Sequence, residues 1–334
     1  MLSAVHLSPT TKKLLWIVAR MLLLVLLTSV LAFVLIINAP IDPVVAYIGP
    51  EATLSPAAIA EIEEHWGLNR SPLMRYFMWV SNVAQGDLGM SMSYKQPVVE
   101  VIQERVLYSF VLMGLAWILS GVLGFVTGIV AGIRQDSLFD RAVKFVCLLL
   151  QSSPAFWIGL LMLSFFAVAL GWFPLGMAVP MGVPADEVTF LQRAHHLILP
   201  LLTLTIVSMG RITLFTRQKI IQVMDSDFIL FARARGLTQP QIVKRHAWRS
   251  VALPALTLQF ASFAELFGGM ALAETVFSYP GIGSATTTAA LSGDVPLLLG
   301  IVLITVIFVF VGNLIANLLY GVVDPRMREA KGNV

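Results

Sequence analysis

The sequence predicts an all-α membrane protein of six transmembrane helices, with a small extracytoplasmic helical insert between the first and second spans. Three observations carry that prediction. Hydrophobic residues make up 57% of the 334-residue chain and charged residues 12%, about half the charged share of a soluble domain. Six apolar runs reach the length a bilayer requires, roughly 20 residues of helix. Lys and Arg collect in alternate segments between those runs. The net charge of +3 says little by itself, because the placement of the basic residues matters more than their sum. The single Cys147 lies in an apolar run, which excludes a disulfide framework and a Cys-based metal site. No basic patch interleaved with aromatics points to nucleic acid.

Residues 1–37 read as an N-terminal cytoplasmic tail and first transmembrane helix. Lys12, Lys13 and Arg20 precede an uncharged run from Met21 to Ile37. A secretory signal peptide is the rival reading, but the run is too long for a signal core and no small-x-small site precedes Pro40. Residues 38–105 form the insert, which is acidic: Asp42, Glu51, Glu61, Glu63, Glu64, Asp87, Glu100 and Glu104 outnumber Arg70, Arg75, Lys95 and Arg105. Ser55-Pro56 ahead of Ile59, Ile62 and Trp66 predicts a capped helix that closes at Gly67.

Residues 106–323 form the five-helix core. Its first span, from about Tyr108 to Ile133, carries Gly124, Gly128 and Gly132 four residues apart, a small-residue strip that lets another helix approach closely. A short charged loop follows with Arg134, Asp136, Asp140, Arg141 and Lys144. The next span, about Phe145 to Phe173, holds Gln151-Ser152-Ser153-Pro154, and Pro154 is expected to kink or break it. The adjacent His195 and His196 have no Cys or carboxylate nearby to complete a metal-ligand set. The fourth span, about Leu197 to Thr216, places Arg211 near its inner end, where a long side chain can snorkel.

Residues 218–250 are the longest polar interruption in the second half of the chain. They spell two short helices at an angle. Asp225 is expected to cap the first, and Gly236 to stop it in a left-handed conformation. Thr238 and Gln241 are expected to form a capping box for the second, with Pro240 harmless in its first turn. Beside Arg233, Arg235, Lys244, Arg245 and Arg249 stand Phe228, Phe231, Leu237, Ile242, Val243 and Trp248. Locally, two readings fit so much apolar surface: docking on another protein, or an amphipathic loop on the lipid surface.

The fifth span, about Val251 to Ala273, holds Glu265 in an apolar setting. A carboxylate there faces water or a partner, since lipid disfavours it by a few kcal/mol. Gln259, Ser262, Glu265 and Gly269 share a helix face at 100° per residue. That stripe is a candidate for a translocation path or the seam to a second subunit. The competing reading pairs Glu265 with a Lys or Arg to fix helix packing. Glu274, Phe277, Pro280, Gly281 and Gly283 fall in a turn-rich outer loop before the last span, about Leu297 to Val323. Residues 324–334 form a basic C-terminal tail. Of the 22 Lys and Arg, only Arg70, Arg75, Lys95, Arg105 and Arg193 fall in segments placed outside, with Arg211 borderline. That bias predicts six spans with both termini in the cytoplasm and the 218–250 loop on the same side.

The loop pattern Asp227…Ala232-x-Ala234-x-Gly236-Leu237…His246-Ala247-x-Arg249…Pro254 resembles the "EAA" coupling loop of ABC-importer permeases of the dipeptide/oligopeptide/nickel subfamily. Phe228 in place of Tyr and Ser250 in place of Asn are mild departures. The stretches Gly49-Pro50-Glu51-Ala52-Thr53, Glu274-x-x-Phe277-x-x-Pro280-Gly281-x-Gly283 and Asp324-Pro325-Arg326 are similar to further marks of that subfamily. The resemblance implies a type I ABC importer permease in a bacterial cytoplasmic (inner) membrane, with four kinds of partner: a second homologous permease, two cytoplasmic ABC ATPases, an extracytoplasmic solute-binding protein and the lipid bilayer. It also implies that residues 38–105 either meet that binding protein or form a rigid lid. It implies that this chain binds no cofactor, ATP-Mg being used by the ATPases. No Gly-x-x-x-x-Gly-Lys-Ser/Thr loop and no catalytic motif is present, so the chain is not read as an enzyme. Peptide is the expected cargo, nickel or a metal chelate the alternative. A self-contained ion-coupled carrier using Glu265 is the reading from a different class.

Overall fold

The structure, a computed structural model, describes residues 9–39, 44–45, 55–184 and 187–323. The Gly49–Thr53 stretch, the Asp324-Pro325-Arg326 mark and the tail lie outside the described residues. Among the described residues the chain is helical, and its one β feature is an isolated bridge between Met90 and Pro97. Four segments are long and apolar enough to cross a bilayer alone: Leu15–Ile37, Val98–Ile133, Phe190–Met224 and Val295–Leu314. Two bent helix pairs raise the number to six if each pair counts as one span. Contacts divide the chain into two units, residues 1–105 with 285–311, and residues 106–284 with 312–334.

In the first unit, α1 (Pro9–Ile37) exposes Leu22, Leu23, Leu26, Leu27, Leu31 and Leu35, the surface expected of a helix solvated by lipid. The helix α2 (Pro56–His65) forms where expected, and α3 (Pro72–Ala84), absent from the sequence reading, begins with the same signal. Ser55 and Ser71 cap them, each with Pro at the first position, and Gly67 after α2 takes φ +66°. Tyr76 of α3 meets α1 through its hydroxyl on Ser29 at 2.9 Å and its ring 5.3 Å from that of Phe33. A second tie, absent from the sequence reading, is centred on Asp294. This buried carboxylate accepts from the Ser91 hydroxyl at 2.6 Å and the Ser93 amide at 2.9 Å. It also accepts from the Leu297 amide at 3.2 Å, which caps the start of the last helix.

In the second unit, α4 (Val98–Ile133), whose beginning belongs to the first, is longer than the expected span. Its glycine strip has found its partner, α7 (Phe190–Met224). A Cβ on Gly124 would lie 3.0 Å from the Met209 carbonyl oxygen, and one on Gly128 would lie 2.6 Å from that of Thr213. Only glycine lets the two backbones come this close. The helix α7 itself starts at a capping box formed by Thr189 and Gln192 and overruns the expected Leu197–Thr216 at both ends.

Two expected spans are not straight. The third divides into α5 (Leu138–Ser152) and α6 (Ala155–Met162), which runs on as a π-helical segment, Leu163–Ala169, with a bend of 111° between them. The residue before a proline is driven from the helical region, and Ser153 takes ψ 139°. The residues expected as a charged loop, Asp140, Arg141 and Lys144, are already in α5. The fifth divides into α10 (Trp248–Ala261) and α11 (Phe263–Val276), bent by 58°. No Pro or Gly stands at that break. The Ser262 hydroxyl donates to the Gln259 carbonyl at 2.9 Å, competing with the helix ladder.

Candidate functional site

The 218–250 loop folds as two short helices, α8 (Asp227–Ala234) and α9 (Gln239–Ile242), the latter continuing through a π-helical turn, Val243–Ala247, into α10. Ser226, not Asp225, precedes α8, because the Asp225 amide still bonds to Ile221 at the end of α7. Gly236 takes φ +81°, and a Cβ there would meet nothing within 4 Å. The glycine is therefore required by backbone conformation and not by a close neighbour. The Thr238–Gln241 capping box forms as expected.

The loop has an inner and an outer face. Inward, Ile229, Ala232, Ile242, Ala247 and Val251 are buried with Ile220 and Met224 of α7, and Leu237, Val243, Phe125 and Ile133 pack against this cluster. The loop is thus fastened to the ends of three long helices, α4, α7 and α10. Outward, Asp227, Arg233, Ala234, His246 and Arg249 are exposed, together with Phe228, Leu230, Phe231 and Trp248. Phe231 is 67% exposed. The two alanines of the loop pattern part company: Ala232 is buried in the loop's own core, and Ala234 faces out.

Next to that core lies a buried ion pair that the sequence did not reveal. Asp140 of α5 is fully buried and accepts two hydrogen bonds from Arg217 of α7, one from Nε and one from Nη2 at 2.7 Å. The Asp136 amide donates to it at 3.0 Å and Lys144 approaches to 3.6 Å.

Farther along α7, a cavity of about 380 Å³ gathers the expected stripe and more. Gln259, Ser262, Glu265 and Gly269 line it in spite of the bend at Ser262, beside Gln151, Ser153, Ser208 and Arg211. These four stripe residues differ in availability. Gln259 is buried and tied to α4: its Nε2 donates to the Trp117 carbonyl at 2.6 Å, and Trp117 Nε1 donates back to its carbonyl at 3.0 Å. Glu265 is open and pairs with Arg211, Nη1 to Oε2 at 2.6 Å, with side chains 64% and 49% exposed. Arg211 therefore reaches an acid rather than snorkelling. A pair this exposed contributes about 0–1 kcal/mol, whereas each charge at mid-membrane is disfavoured by about 2.5–3.5 kcal/mol. The pairing with an Arg is thus present, and both charges face the polar cavity.

Glu274 sits in the last turn of α11 and not in a loop, which begins at Phe277. Its buried carboxylate accepts from the Ser109 hydroxyl at 2.6 Å and from the amides of Gly283 at 2.7 Å and Ser284 at 3.2 Å, at the start of α12 (Ile282–Leu291). An anion at a helix N-terminus is favoured by the unpaired amides and the dipole. A Cβ at Gly281 would overlap that carboxylate, and one at Gly283 would overlap the backbone of Ala271. Phe277 is buried and its carbonyl accepts from the Met177 amide at 2.9 Å. Pro280 leads into this turn. Tyr279 is buried edge-on to Tyr108 at 5.7 Å, and burial, then the neighbouring Tyr108 and Glu274, push its phenol up. Glu274, Gly281 and Gly283 thus make one tight knot, with Phe277 and Pro280 in the turn that closes it. His195 and His196 instead anchor the preceding loop, bonding the carbonyls of Trp172 and Gly176 at 2.9 Å each. Among the described residues no three His, Cys, Asp or Glu side chains cluster as metal ligands.

Comparison with known proteins bears on these features together. A family model described as the binding-protein-dependent transport system inner membrane component matches residues 124–329, and the model for the N-terminal part of such membrane components matches residues 12–113. The loop, the Arg211–Glu265 pair and the Glu274 knot all fall within the first match. The chain is 33% identical over 300 residues to the oligopeptide transport system permease protein AppB of Bacillus subtilis, covering 90% of this chain and 93% of that protein. It is 31% identical over 318 residues to the di/tripeptide transport system permease protein DppB of Pseudomonas aeruginosa, covering 91% and 94%. Among solved structures, the MetNI methionine ABC transporter in inward-facing conformations contains a chain similar in fold at a TM-score of 0.55 and 15% identity, covering 68% of this chain and 97% of that chain.

Proposed function

Because the chain belongs to the family of binding-protein-dependent transport system inner membrane components, we propose that it is the permease subunit of an ATP-driven importer for di- and oligopeptides. It forms half of a translocation pathway in a bacterial inner membrane, beside a second related permease. Two cytoplasmic ATPases hydrolyse ATP-Mg, and an extracytoplasmic solute-binding protein delivers the cargo. Peptide as cargo is supported by the names of the relatives, both of which are peptide permeases.

One observation carries the coupling role. The loop's inner face is a closed apolar core continuous with α4, α7 and α10, while its outer face leaves Phe228, Leu230 and Phe231 uncovered among Arg233, Arg235 and Arg249. Such a body transmits force: a partner that grips the outer face moves the helix ends bonded to the inner one. Both termini and this loop lie in the cytoplasm, and α2 and α3 lie outside, where they meet the solute receptor. The Arg211–Glu265 cavity is the polar lining of the path, completed by the second permease. The knot around Glu274 ties the end of α11 to the first turn of α12 through Gly283 and Ser284.

Reconstitution tests this reading. The chain, its partner permease, both ATPases and the loaded receptor are expected to take up a dipeptide into proteoliposomes only with hydrolysable ATP. Uptake by this chain without ATPases, driven by an ion gradient, contradicts it and supports a self-contained carrier.

A further inference from the structure

We infer that Arg211 and Glu265 form a recognition point for short zwitterionic peptides inside the cavity, Arg211 holding the C-terminal carboxylate and Glu265 the N-terminal ammonium. This rests on the importer reading above and adds to it the residues that read the cargo. The structure sets two ion pairs on one helix for comparison. Asp140–Arg217 is closed: the carboxylate is fully buried, held by two hydrogen bonds from one guanidinium and a third from a backbone amide. Arg211–Glu265 is open, with one contact of 2.6 Å and both side chains about half exposed or more. Most guanidinium donors of Arg211 and the second oxygen of Glu265 are therefore uncommitted among the described residues.

The chemistry of a free peptide matches that vacancy in capacity. At neutral pH it carries a carboxylate and an ammonium, since its end groups have pKa values of about 3.5 and 8. Its entry between the two side chains turns one ion pair into two without adding net charge, which suits a site inside a membrane protein. Two long, half-exposed side chains can part to admit it. Ser208, Ser262 and Gln151 offer hydrogen bonds to its backbone, and Leu204 and Leu272 flank them. The cavity, about 380 Å³, lies at the small end of ligand sites, roughly 300–1,000 Å³. That size favours di- and tripeptides, because the body of a longer chain does not fit within it.

The test uses the complete importer in proteoliposomes, with p-benzoylphenylalanine replacing Leu272 and a tritiated dipeptide supplied by the receptor. Irradiation during turnover is expected to label this chain. Labelling is expected to fall about tenfold, the equivalent of 1.4 kcal/mol, in R211Q and in E265Q, and to be largely retained in R211K and E265D. Co-purification of the partner permease and both ATPases checks that each variant assembles. Equal labelling in the neutral and unaltered proteins, or none during active uptake, overturns the proposal. If a neutral variant fails to assemble, competition in the unaltered complex decides the matter. With receptor omitted and peptide in excess, the free dipeptide is expected to displace the label and its N-acetyl amide is not; equal displacement overturns the proposal. Absence of any ATP-dependent uptake by the unaltered complex instead defeats the importer reading on which it rests.

Discussion

Replacing Arg217 with methionine is expected to destabilise the second unit by about 3–5 kcal/mol, because Asp140 is left as a buried charge without its main partner. Lys144, 3.6 Å away and partly exposed, offsets a fraction of this, which favours the lower end of the range. The pair ties α5 to α7 beside the point where Gly132 packs on Arg217 and Ile220, so its loss loosens the support of the loop as well. The informative control is the double variant Asp140→Leu/Arg217→Met. An apolar pair of similar volume commonly matches or exceeds the stability of a buried ion pair. Thermal unfolding of the purified chain in nanodiscs is expected to show a large drop for Arg217→Met and recovery of most of it in the double variant. A single variant as stable as the unaltered protein rejects the structural role given to this pair.

Gly236→Val is expected to leave insertion and ATP hydrolysis in place while peptide uptake per ATP falls about tenfold. The reasoning starts from φ +81°. An L-residue there is strained by about 1–2 kcal/mol, and every 1.4 kcal/mol is a factor of ten in an equilibrium. Since a side chain at this position meets nothing, the strain is relieved by moving α8 relative to α9, not by a clash with the membrane helices. Gly236→Asn is expected to be much milder, because Asn enters the left-handed region more readily. Parallel assays of ATP hydrolysis and uptake check both variants. Normal coupling in Gly236→Val removes the turn from the transmission path.

Much of this architecture was legible in the sequence, because its signals are local. Ser55-Pro56, the Thr238–Gln241 box and Gly236 each act within four residues, and each feature formed where expected. The Gly124–Gly132 strip announced a close helix contact, although not that α7 would supply it. What escaped was long-range or angular. Asp140 and Arg217 are 77 residues apart, and Asp294 and Ser91 are 203 apart. The available hint was a charge at the end of an apolar run, facing another at the end of a second run. Pro154 announced a break but not 111°. Ser262 announced nothing, because a serine inside a helix is ordinary until its hydroxyl is seen on the Gln259 carbonyl. The inward turn of Ala232 and the outward turn of Ala234 were hidden for a related reason. An alanine pattern gives size but not the face of a helix only eight residues long.

The coupling account stands or falls with the side of the membrane on which the loop lies. Cys147 is the chain's single cysteine and is buried, so Lys244→Cys in a Cys147→Ala background gives one reporter thiol at an exposed position of the loop. A membrane-impermeant thiol reagent is expected to label it in inside-out vesicles and not in intact cells, with labelling suppressed once the ATPases are bound. Labelling from the outside of intact cells would contradict the account.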